Sequence, residues 1–111
     1  MAKTVRGPSS ALDGNAAHMI FEWDEEKSRT TFDIRQFDFA FAVRVFVDSR
    51  RLERIDRRQD YGEERRQTIG EIDGKTYLVV FTQRKNAIRI ISARRAHDNE
   101  DAAYRKDQVW R

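Results

Sequence analysis

The chain has no cysteine, one proline and only two histidines among its 111 residues. Without thiols there are no disulfides, no thiolate metal sites and no cysteine nucleophile. Two histidines, His18 and His97, are too few for a histidine-rich metal site. No apolar run approaches the roughly 18 residues that a membrane-spanning helix needs. Lys3 and Arg6 lie near the start, but no apolar stretch follows them, which argues against a secretory signal. The glycine-rich nucleotide loops, the HExxH zinc helix and the GxSxG nucleophile elbow are missing as well. The expectation is a soluble cytoplasmic protein with no cofactor, of a length that allows one domain and hardly a second.

Charge dominates what is present. Charged residues make up 37% of the chain and apolar residues 39%, against about a quarter charged in an ordinary domain. The core must therefore be thin, filled by seven Phe, three Tyr and two Trp. Residues 19–48 carry seven acids against four bases, whereas residues 49–95 carry thirteen bases against seven acids. Arg84, Lys85, Arg89, Arg94 and Arg95 follow one another without an intervening acid. Arginine outnumbers lysine, and its planar fork suits phosphate, so a polyanionic partner is one reading and a solvated charged face the other.

Residues 1–18 show no apolar period and read as a disordered leader, with the structured domain over 19–111. Met19, Phe21 and Trp23 alternate as in a short strand. Asp24 is placed to cap a helix over about 25–35, with Glu25 and Glu26 in its first turn. Phe37 to Val47 fits a helix capped by Asp38 and a strand equally well. Beyond residue 50 the signals are β: a loose strand over 51–57, then 65–72 and 76–84 around Asp73-Gly74, the pair that suits a type I′ hairpin. Tyr77 to Phe81 is almost continuously apolar, as in a strand covered on both faces. Lys85-Asn86 turns into a last strand, and Asp98 is placed to cap a C-terminal helix to about Val109. The fold class is α+β: a compact antiparallel meander packed with two N-terminal helices and a C-terminal helix.

Simple alternation puts Ile88, Ile90, Ser92 and Arg94 on one face of the last strand, and Arg89, Ile91, Ala93 and Arg95 on the other. Arginines at neighbouring strand ends would hold a phosphodiester and stabilise charge building on phosphorus; they would equally serve as edge charge that discourages aggregation. RNA carries its own nucleophile, the 2′-hydroxyl, so a protein needs mainly to align it and neutralise the phosphate. Arg65 and Arg94 are the candidate phosphate clamps, and Lys27, Glu63 and Glu64 the candidate weak bases. Arg84, Arg89 and Arg95 are candidate RNA contacts, and Trp23 and Tyr61 candidate stacking residues, although both rings also suit packing.

The FEWDEEK segment over 21–27, GEER at 62–65 with QTIG at 67–70, VVFT at 79–82 and IRIISARRA at 88–96 occur in an order that resembles the BrnT family of bacterial toxins. The resemblance covers about residues 19–104. It implies a RelE-like ribonuclease fold and metal-independent RNA cleavage that halts translation. It also implies a BrnA-like ribbon-helix-helix antitoxin and repression of the operon through operator DNA bound by that antitoxin. It places Phe39 to Val47 on a second helix. Residue by residue, Arg65 falls on the family's Arg in GEER, Arg94 on the first Arg of SARRA, and Lys27, Trp23 and Asp24 on their counterparts. The family's KHG triplet is Ile34-Arg35-Gln36 here, its Trp after GEER is Arg66, and the Thr opening its last helix is His97. Those departures keep a second reading open, a catalytically degenerate subunit that binds antitoxin and co-represses without cutting RNA.

Overall fold

The computed structural model describes residues 2–6, 19–106 and 110. Strands β1 (Ala2–Arg6) and β2 (Ile20–Asp24) lead into α1 (Glu25–Arg35), α2 (Phe39–Ala42) and a 3₁₀ segment (Val43–Val47). Strands β3 (Leu52–Ile55), β4 (Arg66–Ile72), β5 (Lys75–Arg84) and β6 (Ala87–Arg95) follow, then α3 (Asp98–Arg105). The class is α+β, with one sheet ordered β1-β2-β6-β5-β4-β3. No described helix is long and apolar enough to cross a membrane.

Strands β3 to β6 form the expected antiparallel meander, but β2 lies parallel to β6, Ile20 opposite Ala87 and Trp23 opposite Ile90. The sheet is therefore mixed rather than wholly antiparallel. Parallel neighbours need a long crossover, and the helices with the rest of the meander supply it. Ala2–Arg6 pairs antiparallel with β2, where a leader without structure was expected. An open strand edge recruits backbone through its hydrogen bonds, and that needs no apolar period. Met1 and residues 7–18, the rest of that leader, lie outside the described residues.

Local chemistry sets the element ends. Asp24 accepts from the N–H groups of Glu26 and Lys27 at 2.9 and 3.2 Å and caps α1. Asp38 accepts from Phe41 N–H at 2.9 Å, and Ser28 Oγ accepts from Phe39 N–H at 3.0 Å. These caps resolve the ambiguous stretch as helix and 3₁₀ turn. Asp73 and Gly74 both have positive φ, 51° and 86°, as a type I′ turn requires. The last helix is capped at His97 rather than Asp98, with the Glu100 carboxylate accepting from His97 N–H at 2.7 Å, and it spans Asp98–Arg105; residues 107–109, to which it was expected to run, lie outside the described residues.

Both sheet faces are buried over β5. Tyr77, Val79 and Phe81 join Phe21, Trp23, Ile90 and the helix residues Phe39, Val45 and Phe46 in the larger core. Leu78 and Val80 pack with Ile69 and the α3 residue Tyr104 on the opposite face. Tyr104 anchors that helix, its hydroxyl donating to Asp48 Oδ2. Burial and this bond push the phenol up to about 12.

A bulge in β6 overturns the simple alternation. Val80 pairs with Ser92 but Phe81 with Ile90, so Ile91 is an extra residue and the strand changes sides across it. Ile90 and Ala93 consequently share the larger core. Arg94, opposite Leu78, lies on the same face as Arg89, opposite Thr82. The two had been expected on opposite faces.

Candidate nucleic-acid interface

Tyr104 covers the half of its sheet face around Leu78 and Val80. The other half, toward the ends of β4 and β5, carries arginine. Arg65 precedes β4, one step beyond the Arg66–Phe81 pair and so beside Thr82. Arg84 follows Thr82 on that face, and Arg89 stands opposite Thr82 on β6. Glu63 ties the group together: its Oε2 accepts from Arg65 Nε at 3.2 Å and its Oε1 from Arg84 Nη2 at 3.3 Å. Burial alone would raise the Glu63 carboxyl, but the bonds from Arg65 and Arg84 outweigh it and hold the group below the usual range. Arg65 also lies over the Tyr61 ring, its guanidinium carbon 4.1 Å from the centroid. Its two Nη groups make no hydrogen bond among the described residues. Arg89 lies 3.9 Å from Glu22.

The loop beneath these residues is held by Asp56. Its side chain is fully buried, and it accepts from Arg58 Nε at 2.8 Å, from Arg58 Nη2 at 2.6 Å and from the Tyr61 hydroxyl at 3.4 Å. The Arg58 hydrogen bonds hold the Asp56 carboxyl at about 2, against 3.8 ordinarily. A depressed carboxylate stabilises the fold above its unfolded pKa, and that contribution disappears as pH falls through the folded value. Asp56→Asn is therefore expected to cost about 1–2 kcal/mol at pH 7, discounted because Arg58 is largely exposed. It should also flatten the loss of stability between about pH 4 and 2. Urea midpoints across that range, parent against variant, check both statements.

The structure separates several residues that the sequence had grouped. Arg94 sits opposite Leu78, four residues along β5 from Thr82, about 13 Å at strand rise. Its fork is engaged by Glu100 at 2.8 and 3.0 Å, so Arg65 and Arg94 do not form one clamp. Trp23 is 1% exposed, with its ring in the larger core and its indole N–H donating to Glu25. It has no face for a base. Lys27 is on α1, beside a cleft against the β6 bulge lined by Asp24, Thr30, Thr31 and Ser92. Glu64 points outward, 3.8 Å from Arg66, whereas Glu63 bonds both Arg65 and Arg84. Arg95 lies on the opposite sheet face over Tyr77. Arg84 and Arg89 stay with Arg65.

Two arginines next to this face were not singled out from the sequence. Arg54 faces Gln67 across the β3–β4 pair and donates to its Oε1 at 2.9 Å, and Arg58 is fixed by Asp56. The run Arg50, Arg51, Arg54, Arg57 and Arg58 was the signal available for them. Among the described residues no group of three or more His, Asp or Glu converges as metal ligands would.

A family model for the ribonuclease toxin BrnT of type II toxin–antitoxin systems matches residues 23–100. That span includes every residue of the arginine-bearing face named above from Arg54 to Arg89. A search of curated proteins returned no match.

Proposed function

This chain belongs to the BrnT family of ribonuclease toxins of type II toxin–antitoxin systems, and on that premise we propose that it cuts RNA on the face formed by Arg65, Arg84 and Arg89. The 2′-hydroxyl attacks the adjacent phosphorus. The 2′-hydroxyl gives its proton to water as a new O–P bond forms, the bond to the 5′-oxygen breaks, and that oxygen leaves with a proton from water. Arg65 and Arg84 stabilise the charge that gathers on the phosphoryl oxygens, which lets the reaction proceed without a metal. Glu63 is ionised at neutral pH and orients both guanidinium groups, so it is a positioning residue rather than a strong base.

The cation cluster on a single sheet face carries this reading. A RelE-like arrangement, a BrnA-like ribbon-helix-helix antitoxin that covers the face, and operator repression by the complex complete the proposal. Expression of the chain alone is expected to arrest growth with fragmented RNA, and co-expression with the neighbouring antitoxin gene to abolish both. The departures from the family pattern at Ile34-Arg35-Gln36, Arg66 and His97 favour the second reading, a co-repressor without cleavage. Intact RNA in cells that express the chain alone, together with a stable antitoxin complex, would establish that reading instead.

A further inference from the structure

Beside the arginine face lies a pocket lined by Arg54, Ile55, Asp56, Arg57, Arg58 and Gln67. Its one acid is already engaged, since both Asp56 oxygens accept from Arg58. Arg57 is exposed and makes no ion pair among the described residues. Arg54 is held flat between two partners, Gln67 Oε1 at 2.9 Å and the Trp110 ring, whose centroid is 3.9 Å from the guanidinium carbon. The pocket and the cleavage face share a wall, because Asp56 N–H donates to the Arg65 carbonyl at 2.8 Å and Tyr61 touches both Asp56 and Arg65. Arg54 lies two residues along β3 from Asp56, about 7 Å from the level of Arg65.

We propose that this pocket binds a second phosphate of the RNA strand, one outside the scissile linkage, with Arg57 and Arg58 as its cationic contacts. The inference rests on the cleavage reading above and adds a substrate class to it: single-stranded RNA long enough to span both sites. A dinucleotide, with one phosphodiester, fills only the cleavage face. An acidic side chain of the antitoxin is the competing occupant. Continuity with Arg65 favours the nucleic acid.

The test uses the full chain and a 2′-O-methyl hexanucleotide, which binds but cannot be cut, so the result does not depend on catalysis. Arg57→Glu should weaken binding about tenfold or more. Arg57→Ala should lower the slope of log K against log salt by about 0.7, the value for one single-strand phosphate contact. A purely structural role for Arg57 would leave that slope unchanged. In cleavage assays the Ala variant should raise KM for the RNA hexanucleotide with kcat preserved, and should leave the RNA dinucleotide untouched. Unchanged affinity and slope for the uncuttable strand would overturn the proposal. So would a variant that binds the strand normally but loses the antitoxin, since the pocket would then serve an acidic peptide. If the parent binds the hexanucleotide through Arg57 but cleaves nothing, the cleavage reading fails and the subsite stands.

Discussion

Gly70→Val is expected to unfold the domain at temperatures where the parent is folded, and Gly70→Ala to lower Tm by about 5–15 °C, equivalent to roughly 1–3 kcal/mol. Gly70 lies in β4 opposite Tyr77, where a side chain would normally strengthen the strand. The 3₁₀ segment rests directly on it. A Cβ at residue 70 would sit 2.8 Å from Val45 Cβ and 2.9 Å from the Val45 carbonyl oxygen. Val45 is fully buried, and part of what the new atom meets is backbone, so relief requires the whole turn to lift. That would also pull at Phe46, which packs against Phe21 and Phe81. Val adds two further methyl groups to the same contact. Thermal denaturation decides the matter. An Ala variant within about 2 °C of the parent would mean that the turn moves freely and the contact does not hold the fold.

The sequence disclosed this architecture wherever the determinant was local. Asp24 before Glu25-Glu26 and Asp73-Gly74 between two strand patterns each specify a cap or a turn through groups within a few residues, whereas Asp38 before Phe39 left helix and strand equally open. The unbroken run Tyr77–Phe81 announced a strand covered on both sides. Long-range determinants stayed hidden. Nothing near Ile20 says that β2 will lie parallel to β6, because that pairing depends on where the intervening chain returns. The extra residue at Ile91 leaves no mark in composition, yet it moves Arg94 onto the face of Arg89. The site was therefore legible as a set of residue types rather than as a constellation. Arg84 and Arg89 come from the basic stretch, but Arg65, which the sequence had paired with Arg94, lies beside them only because β4 pairs with β5. Trp23 could not be told from a stacking residue until its burial was known, since FEWD alternation fits a core strand and a surface platform alike. Glu63 and Glu64 are adjacent with identical chemistry, and only the folded chain shows that Glu63 reaches Arg65 and Arg84 while Glu64 lies near Arg66.

Arg65 and Arg94 should fail in different ways when removed, and that contrast tests the proposed site most sharply. Arg65 is one-quarter exposed, stacked on Tyr61, with one bond to Glu63 through Nε and its Nη edge uncommitted among the described residues. Arg65→Ala should reduce kcat by about 10²-fold or more, the scale of losing one donor to a developing oxyanion. Its stability should fall by only about 0.5–1 kcal/mol, the worth of an exposed cation–π contact. Arg65→Lys keeps the charge but loses the fork and the flat stacking surface, so about a tenfold loss of cleavage is expected even from this substitution. Arg94→Ala instead strands Glu100, whose side chain is 8% exposed and whose other bond is to the His97 N–H. An unpaired carboxylate there should cost roughly 1–3 kcal/mol. Burial raises the Glu100 carboxyl, and Arg94 together with the His97 amide more than reverses that. Part of the lost stability should therefore return in the variant as the pH falls and Glu100 takes up a proton. Cleavage per folded molecule should stay near the parent value. Single-turnover cleavage of RNA beside urea denaturation, on the same preparations, separates the two outcomes. If Arg94→Ala abolishes cleavage in fully folded protein while Arg65→Ala leaves it intact, the reacting phosphate sits at the α3 end of the sheet rather than beside Glu63.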